Sequence, residues 1–115
     1  MTTDDITRIA DNALQELKAV DIRILDVSGL TTVTDTMIIA SGNSDRQLRA
    51  LADNLVKRAK ENGIRPLGME GGAEAEWVLV DLGDVIVHIM RPDTRAYYQL
   101  EKLWTSERQH ASTVT

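Results

Sequence analysis

Apolar residues recur at Ile6, Ile9, Ala10, Ala13, Leu14 and Leu17, the three-and-four spacing of one buried helical stripe, and Thr3-Asp4-Asp5 offers a cap ahead of it. The period then changes. Ile22 to Val27 reads as a strand, Ser28 to Val33 as a loop broken by Gly29, and Thr36 to Ala40 as a second strand ending at Ser41-Gly42-Asn43. A second helical stripe follows at Leu48, Leu51, Ala52, Leu55, Val56 and Ala59. Ser44 and Gln47 stand before it at capping-box spacing, and Gly63 falls where a left-handed residue stops a helix.

Ile64 to Glu70 predicts a short strand interrupted by Pro66, suited to a sheet edge because proline cannot donate to a ladder. Gly71-Gly72 breaks it. Trp77 to Met90 then reads as a hairpin of two Val-rich, apolar segments around a turn in which Gly83 takes the left-handed position. Pro92-Asp93 begins a final helix, with Ala96, Tyr97, Leu100, Leu103 and Trp104 expected on one face. The order αββαβββα, with two helical stripes to cover a sheet whose hairpin is apolar on both faces, predicts a mixed α+β single domain with helices flanking a mixed sheet. The domain is expected over residues 1–106, and residues 107–115 as a disordered tail.

Length and charge sharpen the picture. At 115 residues the chain is sized for one domain, and its lack of Cys excludes disulfides, thiolate zinc sites and a Cys nucleophile. No apolar run approaches the ~20 residues of a membrane span, and the N-terminus lacks a signal-peptide pattern, so a cytoplasmic location is expected. A net charge of -5 favours basic partners and disfavours unassisted binding to nucleic acid or anionic lipid. Between Pro66 and Met90 there is no Lys or Arg, yet five carboxylates occur: Glu70, Glu74, Glu76, Asp81 and Asp84. An acidic tip framed by an indole suits a basic protein surface and repels a phosphate backbone.

Each candidate for chemistry has a plainer reading beside it. Ser41-Gly42-Asn43-Ser44 joins a strand to a helix N-terminus, where free N–H groups and the helix dipole attract phosphate; with one Gly and no Lys after it, an ordinary capped turn is preferred. Asp81 and Asp84 suggest a nucleotidyltransferase metal pair, but three apart across a turn they suit turn-stabilising or partner-facing roles better. His88 has apolar neighbours and no second ligand within reach, which favours a hydrogen-bonded structural histidine. Trp77 fits either core or interface. Trp104 fits the core or a dimer surface. Tyr98 projects with Glu101 and Lys102 from the opposite helical face, where a tyrosine serves recognition more readily than packing.

The stretch Trp77 to His88, with Arg95-Ala96-Tyr97-Tyr98-Gln99-Leu100-Glu101-Lys102-Leu103-Trp104, Asp21 to Val27, Thr34-Asp35, Ser41-Gly42-Asn43-Ser44 and Glu70-Gly71, closely resembles the iojap-related ribosomal silencing factor family, RsfS. Thr36 and Met37 depart from it where many members have two aromatics. The resemblance implies a nucleotidyltransferase-like sheet without known catalysis. It also implies a protein that binds ribosomal protein L-fourteen on the large subunit and hinders joining of the small subunit when nutrients are short. Trp77, Asp81, Asp84, Tyr98 and Glu101 are the expected contact residues, with no catalytic residue, cofactor or metal. A homodimer is expected for the free protein, through apolar hairpin surface that two helices leave uncovered. Two alternatives stay open: a nucleotide-handling enzyme using Gly42 to Ser44 with Asp81 and Asp84, and a large-subunit assembly factor.

Overall fold

The computed structural model describes residues 1–71, 75–100 and 102. The elements follow the expected order: α1 (Thr3–Glu16), β1 (Val20–Asp26), β2 (Thr36–Ser41), α2 (Asp45–Glu61), β3 (Gly68–Glu70), β4 (Trp77–Asp81), β5 (Val85–Met90) and α3 (Pro92–Tyr98). The expected tail at 107–115 and Trp104 lie outside the described residues.

The five strands form one mixed sheet in the order β1-β2-β5-β4-β3. β2 and β5 run parallel, and the other neighbours are antiparallel. β5 is the middle strand, and every one of its residues is buried, which explains its unbroken apolar run. Because side chains alternate, Val85, Val87 and Ile89 meet Leu14, Leu48, Leu51 and Leu55 of the two long helices in the main core. Ile86, His88 and Met90 face the other side. On this second face β5 is buried while Trp77 and Leu79 of β4 stay half-buried, so the chain covers part of the apolar hairpin surface expected to lie open for a second copy. Exposed apolar side chains lie elsewhere, notably Val20 and Ile24 on the edge strand β1.

Caps explain where the helices begin. Thr2, one residue earlier than expected, caps α1 in a full capping box with Asp5, and its N–H and hydroxyl hold the Asp5 carboxyl below its ordinary value. Ser44 caps α2 by accepting from Gln47 N–H at 3.1 Å. The box is incomplete there, because the Gln47 side chain accepts from Asn43 N–H at 2.7 Å and donates to the carbonyls of Leu17 and Lys18. Gln47 thus ties the end of α1 to the start of α2. Further along α2, Asn54 donates to the Ala13 carbonyl and to Glu16 in the last turn of α1, and Glu16 also receives Arg58 at 2.9 Å. Gly63 takes the left-handed turn after α2, φ 76°. β3 starts after Pro66 rather than around it and forms the sheet edge beside β4.

Candidate partner-binding face

The sheet face turned away from α1 and α2 holds a second, smaller apolar cluster of Val27, Met37, Ile39 and Met90, with Leu25, Trp77 and Leu100 packed against it. Trp77 opens β4 opposite Met90, while Leu79 stands opposite His88. Trp77 and His88 are therefore diagonal neighbours on one face, within reach of an aromatic side chain. The indole Nε1–H donates to His88 Nδ1 at 2.9 Å. His88 is 6% exposed, and burial pushes its pKa down to about 4, so at neutral pH the ring is uncharged and Nδ1 keeps the lone pair that accepts the indole proton.

α3 brings two tyrosines to this edge. Tyr98 lies 5.1 Å from Trp77 between ring centroids, and Tyr97 stands edge-on to Tyr98 at 5.0 Å. What places α3 is a buried arginine. Arg95 donates from Nη1 to the Asp21 carbonyl at 2.7 Å and to Ser41 Oγ at 2.9 Å, and Nη2 lies 3.5 Å from the Asp21 carboxylate. Asp21 takes a left-handed φ of 49° within the bulge between Val20 and Arg23, a conformation Asp tolerates better than most residues. Through Arg95, α3 thus reaches across β2 to the far edge strand.

This arrangement corrects the expected apolar face of the last helix. Ala96 and Tyr97 are exposed, Tyr97 by 82%, and Arg95 is the buried residue. The reason is local: Gln99 adopts φ 48°, ψ 49° and ends the helix at Tyr98, so the helical period that holds Ala96 and Tyr97 stops there. Tyr98 is exposed as expected, at 57%. Glu101 lies outside the described residues.

The expected contact residues do not form one compact group. Trp77 and Tyr98 touch. Asp81 shares the face of Trp77 but lies four residues along the strand, about 13 Å away. Its Oδ1 accepts from Gly83 N–H at 2.8 Å, the turn-stabilising role expected of it, and Gly83 has the positive φ, 89°. Asp84 sits beyond the turn. Its carbonyl accepts from Asp35 and Thr36 N–H, and its carboxylate lies 3.4 Å from Thr3 Oγ1, so it stitches the hairpin tip to β2 and α1.

The loop from Ser41 to Ser44 has the backbone donors of Gly42 and Asn43 committed within the chain. Gly42 N–H goes to the Met90 carbonyl, Asn43 N–H to Gln47 and Gln47 N–H to Ser44. A Cβ at Gly42 would come within 3.0 Å of Leu48 Cδ2, so the glycine serves packing against α2. Among the described residues, no group of three or more His, Asp or Glu is placed to hold a metal ion, and no helix is long and apolar enough to cross a membrane.

Beside the aromatic edge is an open cavity of about 280 Å³ lined by Glu76, Arg91, Asp93, Thr94, Tyr97 and Tyr98. Neither Arg95 nor the outward Tyr97 was legible as a site residue. The faint signal was the adjacent pair Tyr97-Tyr98, since neighbouring residues of a helix cannot both face one core.

Comparison with known proteins agrees with this geometry. The family model described as "Ribosomal silencing factor during starvation" matches residues 1–115. A Bacillus subtilis (strain 168) protein named Ribosomal silencing factor RsfS is 49% identical over 104 residues, covering 90% of this chain and 88% of that one. A mouse protein named Mitochondrial assembly of ribosomal large subunit protein 1 is 39% identical over 95 residues, 80% of this chain and 42% of its own length. The crystal structure of a Chromobacterium violaceum protein superposes with a TM-score of 0.88 at 46% identity, covering 91% of this chain and 88% of that one. With sequence and fold in agreement over nearly its whole length, the chain belongs to the ribosomal silencing factor family.

Proposed function

We propose that this protein binds the large ribosomal subunit through ribosomal protein L-fourteen and silences it by occupying space that the small subunit needs. The observation that carries the reading is the contiguous aromatic edge Trp77–Tyr98–Tyr97, where α3 meets a hairpin that has carboxylates and no Lys or Arg. Aromatic side chains fixed by packing bind with little loss of conformational freedom, and surrounding carboxylates select a basic partner and speed its approach. Trp77 and Tyr98 act as anchors. Asp81, Asp84 and Glu101 supply charge complementarity, with Asp81 and Asp84 extending the contact toward the hairpin tip. The protein acts by binding, without catalysis, in the cytoplasm, and is a homodimer when free.

The test is sedimentation of purified subunits with increasing protein. Saturable co-sedimentation with large subunits, together with a falling yield of joined ribosomes, supports the reading. Co-sedimentation with small subunits alone overturns it. Binding to large-subunit precursors without any effect on joining favours a role in assembly, the second reading, which the mouse relative's name supports.

A further inference from the structure

We propose that the cavity between Glu76 and Tyr97 is a receptor for one arginine side chain of the protein partner. Its volume, about 280 Å³, lies just below the ~300–1,000 Å³ typical of small-molecule sites. That is the scale of a single inserted side chain. Its walls define the charge and shape of what fits. Two sides are tyrosine rings at 85° to each other, with centroids 5.0 Å apart, and both rings are solvent-exposed. The other sides carry the Glu76 and Asp93 carboxylates.

The one cation on the wall is already engaged. Arg91 Nη1 lies 3.4 Å from Asp45 Oδ1, and its N–H donates to the Glu76 carbonyl. Among the described residues, the Glu76 carboxylate receives only the Thr94 hydroxyl, at 3.3 Å. Among the described residues, neither Glu76 nor Asp93 has an ion-pair partner. An anion entering the cavity meets two carboxylates, and a purely apolar group strips them of water without compensation. A cation answers both. Between the two biological cations, guanidinium fits better: its plane stacks on a tyrosine face while its edge forks toward a carboxylate, whereas an ammonium is a strongly hydrated point charge.

The inference deepens the ribosomal reading by naming what the partner inserts, and it is testable apart from it. The ¹⁵N-labelled full chain is titrated with N-acetyl-arginine methylamide, and separately with the lysine and citrulline analogues. Citrulline keeps the planar shape and removes the charge. Saturable shifts at the amides of Glu76, Thr94, Tyr97 and Tyr98 are expected with arginine. Binding should be roughly 3-fold or more weaker with lysine and absent with citrulline. Glu76→Gln with Asp93→Asn, and separately Tyr97→Ala, should each weaken arginine binding about 5-fold or more while leaving the rest of the spectrum in place.

Citrulline binding equal to arginine, arginine binding unchanged in both variants, or no saturable shift overturns the proposal. Variants that lose arginine yet sediment with large subunits as tightly as the parent protein overturn its role in partner contact and leave the silencing reading standing. A parent protein that takes arginine in this way but ignores large subunits fails the silencing reading and keeps the cavity.

Discussion

The Trp77 indole N–H ends on Nδ1 of His88, 2.9 Å away, so the exposed aromatic edge is fastened to the middle strand of the sheet. This bond needs a neutral imidazole. His88 has its pKa pushed down to about 4 by burial, against 6.5 when unburied. The unfolded chain therefore binds the proton first as pH falls, and stability contributed by neutral His88 is complete above about 6.5 and lost progressively toward 4. The whole loss amounts to the order of 3 kcal/mol. Urea unfolding between pH 7 and 4.5 should show it, and His88→Gln should flatten the slope over that range. A parent protein equally stable at both ends contradicts the assignment.

Arg95 is the residue on which the position of α3 depends. Arg95→Ala leaves the buried Ser41 hydroxyl and the Asp21 carbonyl without their donor, at a cost of about 2–3 kcal/mol in unfolding free energy. Asp21 itself is spared a large penalty because its carboxylate is largely exposed. Arg95→Lys should recover only part of the loss, since an ammonium cannot reproduce the two-nitrogen fork. The Tyr97 and Tyr98 resonances should shift in both variants. Denaturation midpoints within error of the parent protein would remove Arg95 from this role.

Two glycines, Gly68 opening the edge strand β3 and Gly71 just after it, should respond differently. Gly71 has φ 114°, and a Cβ there would stand 2.9 Å from the Trp77 carbonyl and 3.2 Å from Val78 Cα, backbone atoms of β4 that cannot easily give way. Gly68 has open space around it. Gly71→Ala should destabilise by about 1–3 kcal/mol, and Gly68→Ala should stay within about 0.5 kcal/mol of the parent protein. Thermal melts of the two variants check the contrast.

How much of this was legible depends on how local the signal was. The stripes of α1 and α2 and the Asp81-Leu82-Gly83-Asp84 turn are written in side chains whose partners lie a few residues away, and these elements stand where the pattern puts them. His88 was legible as a structural histidine because nothing near it in sequence offers a second ligand. α3 was misread because a left-handed Gln99 has no strong local signature, and because the arginine that turns inward finds Ser41 and Asp21 54 and 74 positions away. The same long-range pairing hid the outward face of Tyr97. Coverage of the hairpin's second face depends on the packing of Trp77 and Leu100, which no period of two or 3.6 encodes.

The proposed self-association has an apolar edge available to it. Val20 and Ile24 leave 42% and 47% of their surface exposed on β1, an edge strand whose outer side has no neighbour in the sheet among the described residues. A homodimer of modest stability is expected, visible by light scattering at on the order of tens of micromolar. Ile24→Lys should shift it toward monomer without unfolding the domain. A strictly monomeric mass for the parent protein at that concentration contradicts the expectation.

Under the proposed steric mechanism, silencing lasts only while the protein occupies the joining face, so inhibition should track occupancy of large subunits. Added before the subunits meet, the protein should block reporter translation at concentrations above its dissociation constant. Added afterwards it should do little, because joined ribosomes already bury the site. Tyr98→Ala is the cleanest probe of the contact, since that ring is mostly exposed. Trp77→Ala also strands the His88 acceptor and so costs stability as well as binding. If Tyr98 is a true anchor, its truncation should weaken large-subunit binding by ~2 kcal/mol, roughly 30-fold, and raise the inhibitory concentration by the same factor. Asp81→Lys with Asp84→Lys should slow association and reduce its salt dependence, because screening acts on the exposed charges that steer encounter. Equal inhibition with either order of addition would rule out steric blocking. Unchanged binding by Tyr98→Ala would move the contact away from the aromatic edge.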